Sequence, residues 1–163
     1  PPSVTALTIF HTQPPRISLP STIQRLRAPN PTASLRLLPA LTHLTLGSCN
    51  EPIASPSVKH LHIVQSTFLS SLMVPTTVTS LKIDNILSLD LRHAPWLVDV
   101  SLRVRVVDSL RSVLDRFVLP SLHHLNLWVE PSRALNKDDV RQDAVDAFGT
   151  CCDKIQLFGP LFF

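Results

Sequence analysis

The sequence predicts an α/β repeat solenoid, a coil in which short strands stack in parallel and return segments connect them. The chain has 163 residues with 27 Leu, 15 Pro and only 3 Gly, which suits a leucine-rich core and argues against a long helical bundle. The pattern apolar-x-x-apolar-x-apolar recurs eight times, and a Pro lies two or three residues before seven of the copies. Such regular spacing indicates a repeated structural unit.

The eight copies begin 17 to 30 residues apart. They are Val4-Leu7-Ile9, Ile23-Leu26-Ala28, Leu41-Leu44-Leu46, Val58-Leu61-Ile63, Val78-Leu81-Ile83, Leu97-Val100-Leu102, Leu122-Leu125-Leu127 and Cys152-Ile155-Leu157. One residue separates the last two apolar residues of each copy, which is the alternation of a half-buried strand. Because one such strand is too short to bury its apolar side, we expect the strands to stack around a continuous core. The preceding Pro suits an extended start to each strand.

The segments between copies also carry apolar residues, which we expect to form the opposite wall of the coil. They include Ile17, Leu19, Leu35, Leu37, Leu38, Leu69, Leu72, Leu89 and Leu91. The short returns of the N-terminal repeats are predicted to be extended, and the two longest returns predict helices near 108–117 and 137–149. The apolar face of the second helix would be Val140, Ala144, Ala147, Phe148 and Cys151. Asp138 and Asp139 would lie near its N-terminus, and Gly149 at its C-terminal end.

The third copy and the residues after it, from Leu41 to Cys49, resemble the leucine-rich repeat, L-x-x-L-x-L-x-x-N/C-x-L. The resemblance implies a right-handed coil with a concave parallel sheet, in which Cys49 points inward. The array is irregular, similar to the repeats of fungal F-box proteins, and the run from Leu44 to Ile53 resembles FNIP repeats. The likeness covers residues 2–130 well and 131–163 loosely. We expect residues 1–163 to form a single leucine-rich-repeat-like solenoid of about eight repeats that lacks its N-terminal part.

The residues between the core leucines are predicted to line the concave face and to bind a protein partner. These candidate partner-binding residues are Arg25, Arg27, His43, His60, His62, Lys82, Arg103, His124 and Trp128. Residues 1–83 hold six Lys or Arg against one acid, Glu51, so we expect the partner to present an acidic surface or peptide. Trp96 and Trp128 are the expected aromatic anchors.

The resemblance implies, by analogy, a non-enzymatic protein–protein interaction scaffold that serves as the substrate-recognition segment of an F-box-type ubiquitin ligase adaptor. Ligase components would then bind an upstream module. Two alternatives stay open: a repeat-only interaction module unrelated to ubiquitin, and binding of nucleic acid or another anionic ligand by the basic concave face. Nucleic acid ranks below protein because the basic positions lack interleaved aromatic residues and the net charge is only +3.

The sequence predicts neither a catalytic site nor a metal or cofactor site. It contains no G-x-S-x-G, H-E-x-x-H, P-loop or G-x-G-x-x-G motif. His43, His60 and His62 are predicted on neighbouring strands, but no carboxylate or thiol is placed to complete a zinc site with them. We therefore predict a protein that is not an enzyme.

Cysteine usage and hydropathy predict the compartment. Cys49, Cys151 and Cys152 are odd in number and two are adjacent, so we expect reduced thiols. Neither a signal peptide nor an apolar stretch of about 20 residues is evident. The prediction is a cytoplasmic or nuclear protein that does not enter the membrane.

Overall fold

The computed structural model describes residues 4–10, 19–29, 38–49, 53, 55–64, 72–86, 91, 93–106, 118–131, 136–149 and 152–159. Within these residues, eight strands form one sheet in chain order, and each neighbouring pair is parallel. The strands are β1 (Ala6–Thr8), β2 (Arg25–Ala28), β3 (His43–Leu46), β4 (His60–Ile63), β5 (Ser80–Ile86), β6 (Asp99–Val106), β7 (His124–Pro131) and β8 (Lys154–Phe158). The predicted sheet of sequential parallel strands is confirmed.

Backbone hydrogen bonds align each strand with the one before it. The carbonyl of Gln24 accepts the N–H groups of Thr42 and His43, at 2.9 and 3.0 Å. The carbonyl of Thr42 accepts those of Lys59 and His60, both at 3.0 Å. The same double acceptance recurs at the carbonyls of Thr5, Lys59, Thr79 and Val98. Equivalent residues of successive copies therefore lie side by side.

The inward side chains of the strands stack into one core. At one register position, Leu26, Leu44, Leu61 and Leu81 follow one another across four strands, and each is at most 2% exposed. Cys49 is buried, as the repeat pattern predicts. The first copy differs from the prediction, since Val4 is 48% exposed. Among the described strands, β1 has a neighbour on one side only, so its apolar residues are covered less.

The prolines before β2, β3, β5, β6 and β7 lie in turns, which corrects their interpretation as extended starts. The N–H of Leu41 donates to the carbonyl of Leu38 across Pro39. Equivalent bonds between residues three apart end at Ile23, Val78, Leu97 and Leu122. Pro39, Pro95 and Pro120 occupy the second position of their turns, which Pro suits because its ring fixes φ at about −65°, whereas Pro20 and Pro75 occupy the first. The recurring Pro thus marks the point at which the chain turns into the next strand.

Residues from the return segments complete the core. Leu38, Leu72, Leu91 and Leu119 are at most 7% exposed and pack in the same cluster as the strand residues. Other predicted wall residues lie outside the described residues: Ile17, Leu35, Leu37, Leu69 and Leu89. The helix predicted near 108–117 also lies outside them.

The helix predicted near 137–149 is confirmed as α1 (Lys137–Phe148). The Asn136 side chain caps it by accepting the backbone N–H of Asp138 at 3.1 Å. The buried side of α1 consists of Val140, Ala144 and Phe148. Ala147 was predicted on this side but is exposed, because the buried residues follow a spacing of four that leaves it out. Cys151 lies outside the described residues.

The length and hydropathy of the helices bear on membrane insertion. Within the part of the chain that the structure describes, no helix has both the length and the apolar character needed to cross a bilayer.

Leu61→Ala tests the stacked core. Leu61 pairs in register with Leu44 on β3 and Leu81 on β5, so its truncation leaves a cavity between two other buried leucines. We expect the free energy of unfolding to fall by about 2–5 kcal/mol, measured by urea denaturation. The exposed neighbour Lys59 provides the control, and Lys59→Ala should change it by less than about 0.5 kcal/mol. Equal effects of the two substitutions would contradict the assigned register.

Candidate functional site

The outward side chains of the strands form one surface, which we call the polar face. Its first column is Ala6, Arg25, His43, His60, Ser80, Asp99, His124 and Lys154. Its second column is Thr8, Arg27, Thr45, His62, Lys82, Ser101, Asn126 and Gln156. A third column, on β6–β8, holds Arg103, Trp128 and Phe158. All nine predicted partner-binding residues therefore lie on the polar face.

Three carboxylates of the polar face are held by cationic or imidazole groups of the same face. His62 donates from Nε2 to Asp84 Oδ2 at 2.8 Å, and His124 donates from Nδ1 to Asp99 Oδ1 at 2.6 Å. Arg103 donates from Nε to Glu130 Oε1 at 2.7 Å and binds the same oxygen through Nη2. Each of these three acidic charges thus has a positive or hydrogen-bonding neighbour.

The other cations of the polar face remain available to a ligand. Arg25, Arg27, Lys82 and Lys154 are exposed. None of them forms a salt bridge within the described residues. In addition, the outward positions of β1–β4 in these residues hold no carboxylate. Among the described residues, the surface therefore presents positive charge that its own acids do not neutralise.

His43 and His60 stack on each other between β3 and β4. Their ring centroids are 4.3 Å apart and their planes differ by 19°. Thr42 Oγ1 is 3.2 Å from the carbonyl oxygen of Gln24, to which it can donate, and forms a hydrogen bond of 2.9 Å with His43 Nδ1. Burial lowers the pKa of His43 below its ordinary value of 6.5, and the positive charges of His60 and Arg25 lower it further. The neutral ring is the favoured form in this stack.

The histidine arrangement does not form a metal centre. Nearly parallel stacked rings do not direct their nitrogens at one point, and His62 Nε2 is engaged by Asp84. Among the described residues, no group of three or more His, Cys, Asp or Glu side chains could hold a metal ion. The carboxylate of Asp84 lies close to His62, although the sequence analysis placed no carboxylate there.

Trp128 lies in the middle of a stack on the third column. Arg103 Cζ is 5.6 Å from its ring centroid, and the Phe158 ring is stacked at 6.3 Å with an interplanar angle of 12°. Because these partners come from β6 and β8, they flank Trp128 from opposite sides. Trp128 remains 37% exposed, whereas Trp96, the other predicted anchor, packs against the core.

An open depression of about 380 Å³ lies on the polar face over β5–β8. Its polar lining consists of Ser80, Lys82, Asp99, Ser101, His124, Asn126, Lys154 and Gln156. Of the predicted partner-binding residues, it includes Lys82 and His124. The others lie on β2–β4 or in the third column.

Sequence reasoning missed the contribution of β8 to the depression. Lys154 and Gln156 occupy the same outward positions in the eighth copy that His124 and Asn126 occupy in the seventh. The signal for these positions is the eighth copy itself, because Lys154 and Gln156 flank Ile155 in the pattern Cys152-Ile155-Leu157. Ser80 and Ser101 carried no signal of binding, because serine is an ordinary exposed residue in a strand.

Comparison with known proteins does not assign the chain to a family. No family model, curated protein or solved structure matches it.

The His43–His60 stack predicts a measurable pKa coupling. His60→Gln removes a positive neighbour and should raise the pKa of His43 towards 6.5, as followed by NMR titration of the ring protons. Because the native pKa is lowered, protonation favours the unfolded chain. The stability that His43 contributes is therefore present above pH 6.5 and is lost as the pH falls through its native pKa. His93→Gln, a change at an exposed turn before β6, is the control and should leave the His43 titration in place.

Proposed function

We propose that this chain is a non-enzymatic recognition module whose polar face binds an acidic segment of a protein partner. The observation that carries the proposal is the uneven pairing of charges on that face. Asp84, Asp99 and Glu130 are each held by a neighbouring side chain, whereas the exposed cations of β2, β5 and β8 form no salt bridge among the described residues. Complementary charge accelerates association and selects partners.

A protein ligand fits this surface better than a single-stranded nucleic acid. Protein surfaces that bind single-stranded nucleic acid combine positive charge with aromatic rings on which the bases stack. Trp128 is flanked on its two sides by Arg103 and Phe158, so its ring is not open to intercalating bases. The outward positions of β2–β5 include Arg25, Arg27 and Lys82. Among the described residues, none of these outward positions holds Phe or Trp.

The proposal includes a right-handed leucine-rich-repeat-like coil with the polar face on its concave side. Its support is the sequential order of the parallel strands and the burial of Leu38, Leu72 and Leu91 from the returns. Connections between parallel neighbours in a sheet are right-handed in about 98% of cases. In such a coil each return crosses behind the strands, which leaves their outward residues free to bind a ligand.

The likeness to F-box repeat segments extends the proposal to substrate selection for a ubiquitin ligase. The chain has three cysteines, an odd number with two of them adjacent, which suits reduced thiols and supports a cytoplasmic or nuclear location. The test is the domain content of the full-length reading frame. An upstream F-box module supports the adaptor role, and its absence favours a repeat-only interaction module.

Charge reversal at Arg25, Arg27 and Lys82 tests the binding face. Changing all three to Glu alters the local charge by six units at exposed positions, so each change should cost about 0.5 kcal/mol or less in stability. We expect the triple variant to lose partners that the wild type captures from cell extract. For a purified partner identified in this way, we expect slower association and, in the wild type, affinity that falls as salt rises.

The charge-conserving variant Arg25→Lys, Arg27→Lys, Lys82→Arg is the matched control and should keep the partner. An added single-stranded DNA oligonucleotide should not compete for the face. If the reversed variant captures the same proteins with the same salt response, the basic positions are only a solvated surface. The interface would then have to be sought around Trp128.

A further inference from the structure

The depression over β5–β8 has a regular construction. Four strands each contribute two outward residues, one from the first column and one from the second. The first-column residues are Ser80, Asp99, His124 and Lys154, and the second-column residues are Lys82, Ser101, Asn126 and Gln156. Short side chains at Ser80 and Ser101 leave the surface low on β5 and β6. The result is a shallow polar trough that runs across the strands.

The two lysines of the trough stand at opposite ends of its diagonal. Lys82 lies on β5 and Lys154 on β8, three strand spacings apart and offset by two residues along the strands. With neighbouring strands about 4.8 Å apart and about 3.3 Å per residue, their backbones are about 16 Å apart. Neither lysine forms a salt bridge within the described residues. One small anion could therefore contact both ammonium groups only if both side chains leaned fully towards each other.

An extended peptide matches this separation. Residues i and i+4 of an extended chain are about 13 Å apart and point to the same side. The flexible four-carbon stems of the lysines can reach over the remaining few ångströms. Asn126, between the lysines, and Gln156, beside Lys154 on β8, can both donate to and accept from a peptide backbone. The carboxylate of Asp99, bound to His124, lies between the two ends and disfavours a further acidic group at the centre.

We infer that the trough binds an extended peptide segment carrying two carboxylate side chains four residues apart, one at Lys82 and one at Lys154. This inference rests on the proposed function, since it names the ligand chemistry of one part of the polar face. The segment crosses the strands, and its backbone lies over Ser101, Asn126 and Gln156.

The test uses three synthetic peptides of equal length, observed by NMR titration of the full chain. In the first, three serines separate two glutamates; in the second, of the same composition, the glutamates are adjacent; in the third, glutamines replace them. We expect the first to bind about three- to tenfold more tightly than the second, since it alone reaches both lysines. The side-chain amide signals of Asn126 and Gln156 should shift on binding. The glutamine peptide should bind most weakly.

Single substitutions locate the effect. Lys82→Gln and Lys154→Gln should each abolish the preference for the spaced peptide, while Lys59→Gln, at an exposed lysine outside the trough, should retain it. Thermal melts of the three variants verify that they fold. Lys154 is the discriminating position because the charge-reversal experiment leaves it intact.

The outcomes separate this inference from the proposed function. Equal binding of the spaced and adjacent peptides overturns the inference, and so does a preference that survives Lys154→Gln. The proposed function stands in those cases if charge reversal at Arg25, Arg27 and Lys82 still removes the protein partner. If no acidic peptide binds and charge reversal changes nothing, both proposals are wrong.

Discussion

The in-register stacking of apolar side chains on successive parallel strands is the interaction on which the rest of this structure depends. Leu44, Leu61 and Leu81 are buried because each contacts its counterpart on the neighbouring strand, which no single short strand could achieve. A shift of one residue in any strand would turn its apolar residues outward and its polar residues inward. The core therefore enforces the register, and the register places every residue of the polar face.

The apolar pattern was sufficient to predict most of the sheet. Leu61 and Ile63 are separated by one residue, as are the equivalent pairs of the other copies, and this alternation corresponds to the observed burial. The pattern was less informative in the first copy. Val4 is exposed there because burial requires a neighbouring strand on both sides, and β1 has one on a single side. The role of Pro39 was also misjudged, since Pro suits both an extended segment and the second position of a turn.

The candidate site was predictable at the level of columns but not of contacts. Register alone placed Arg25, His43 and His60 side by side on neighbouring strands. The bonds from His62 to Asp84 and from Arg103 to Glu130 are diagonal, between residues offset by two positions, and they depend on side-chain conformation. The repeat pattern contains no information on these conformations. For the same reason, the sequence could not show which charges are paired and which are available.

The division between paired and unpaired charges follows from the different demands on the two sides of the strands. The inward positions must be apolar and of suitable volume, so they repeat along the chain. The outward positions contribute little to the core, so each strand can carry different groups there without loss of the fold. In the depression over β5–β8, the short side chains of Ser80 and Ser101 leave room for a ligand, while Lys82 and Lys154 place positive charge at its two ends. A regular core thus supports an irregular face, and it is the irregular face that can distinguish one partner from another.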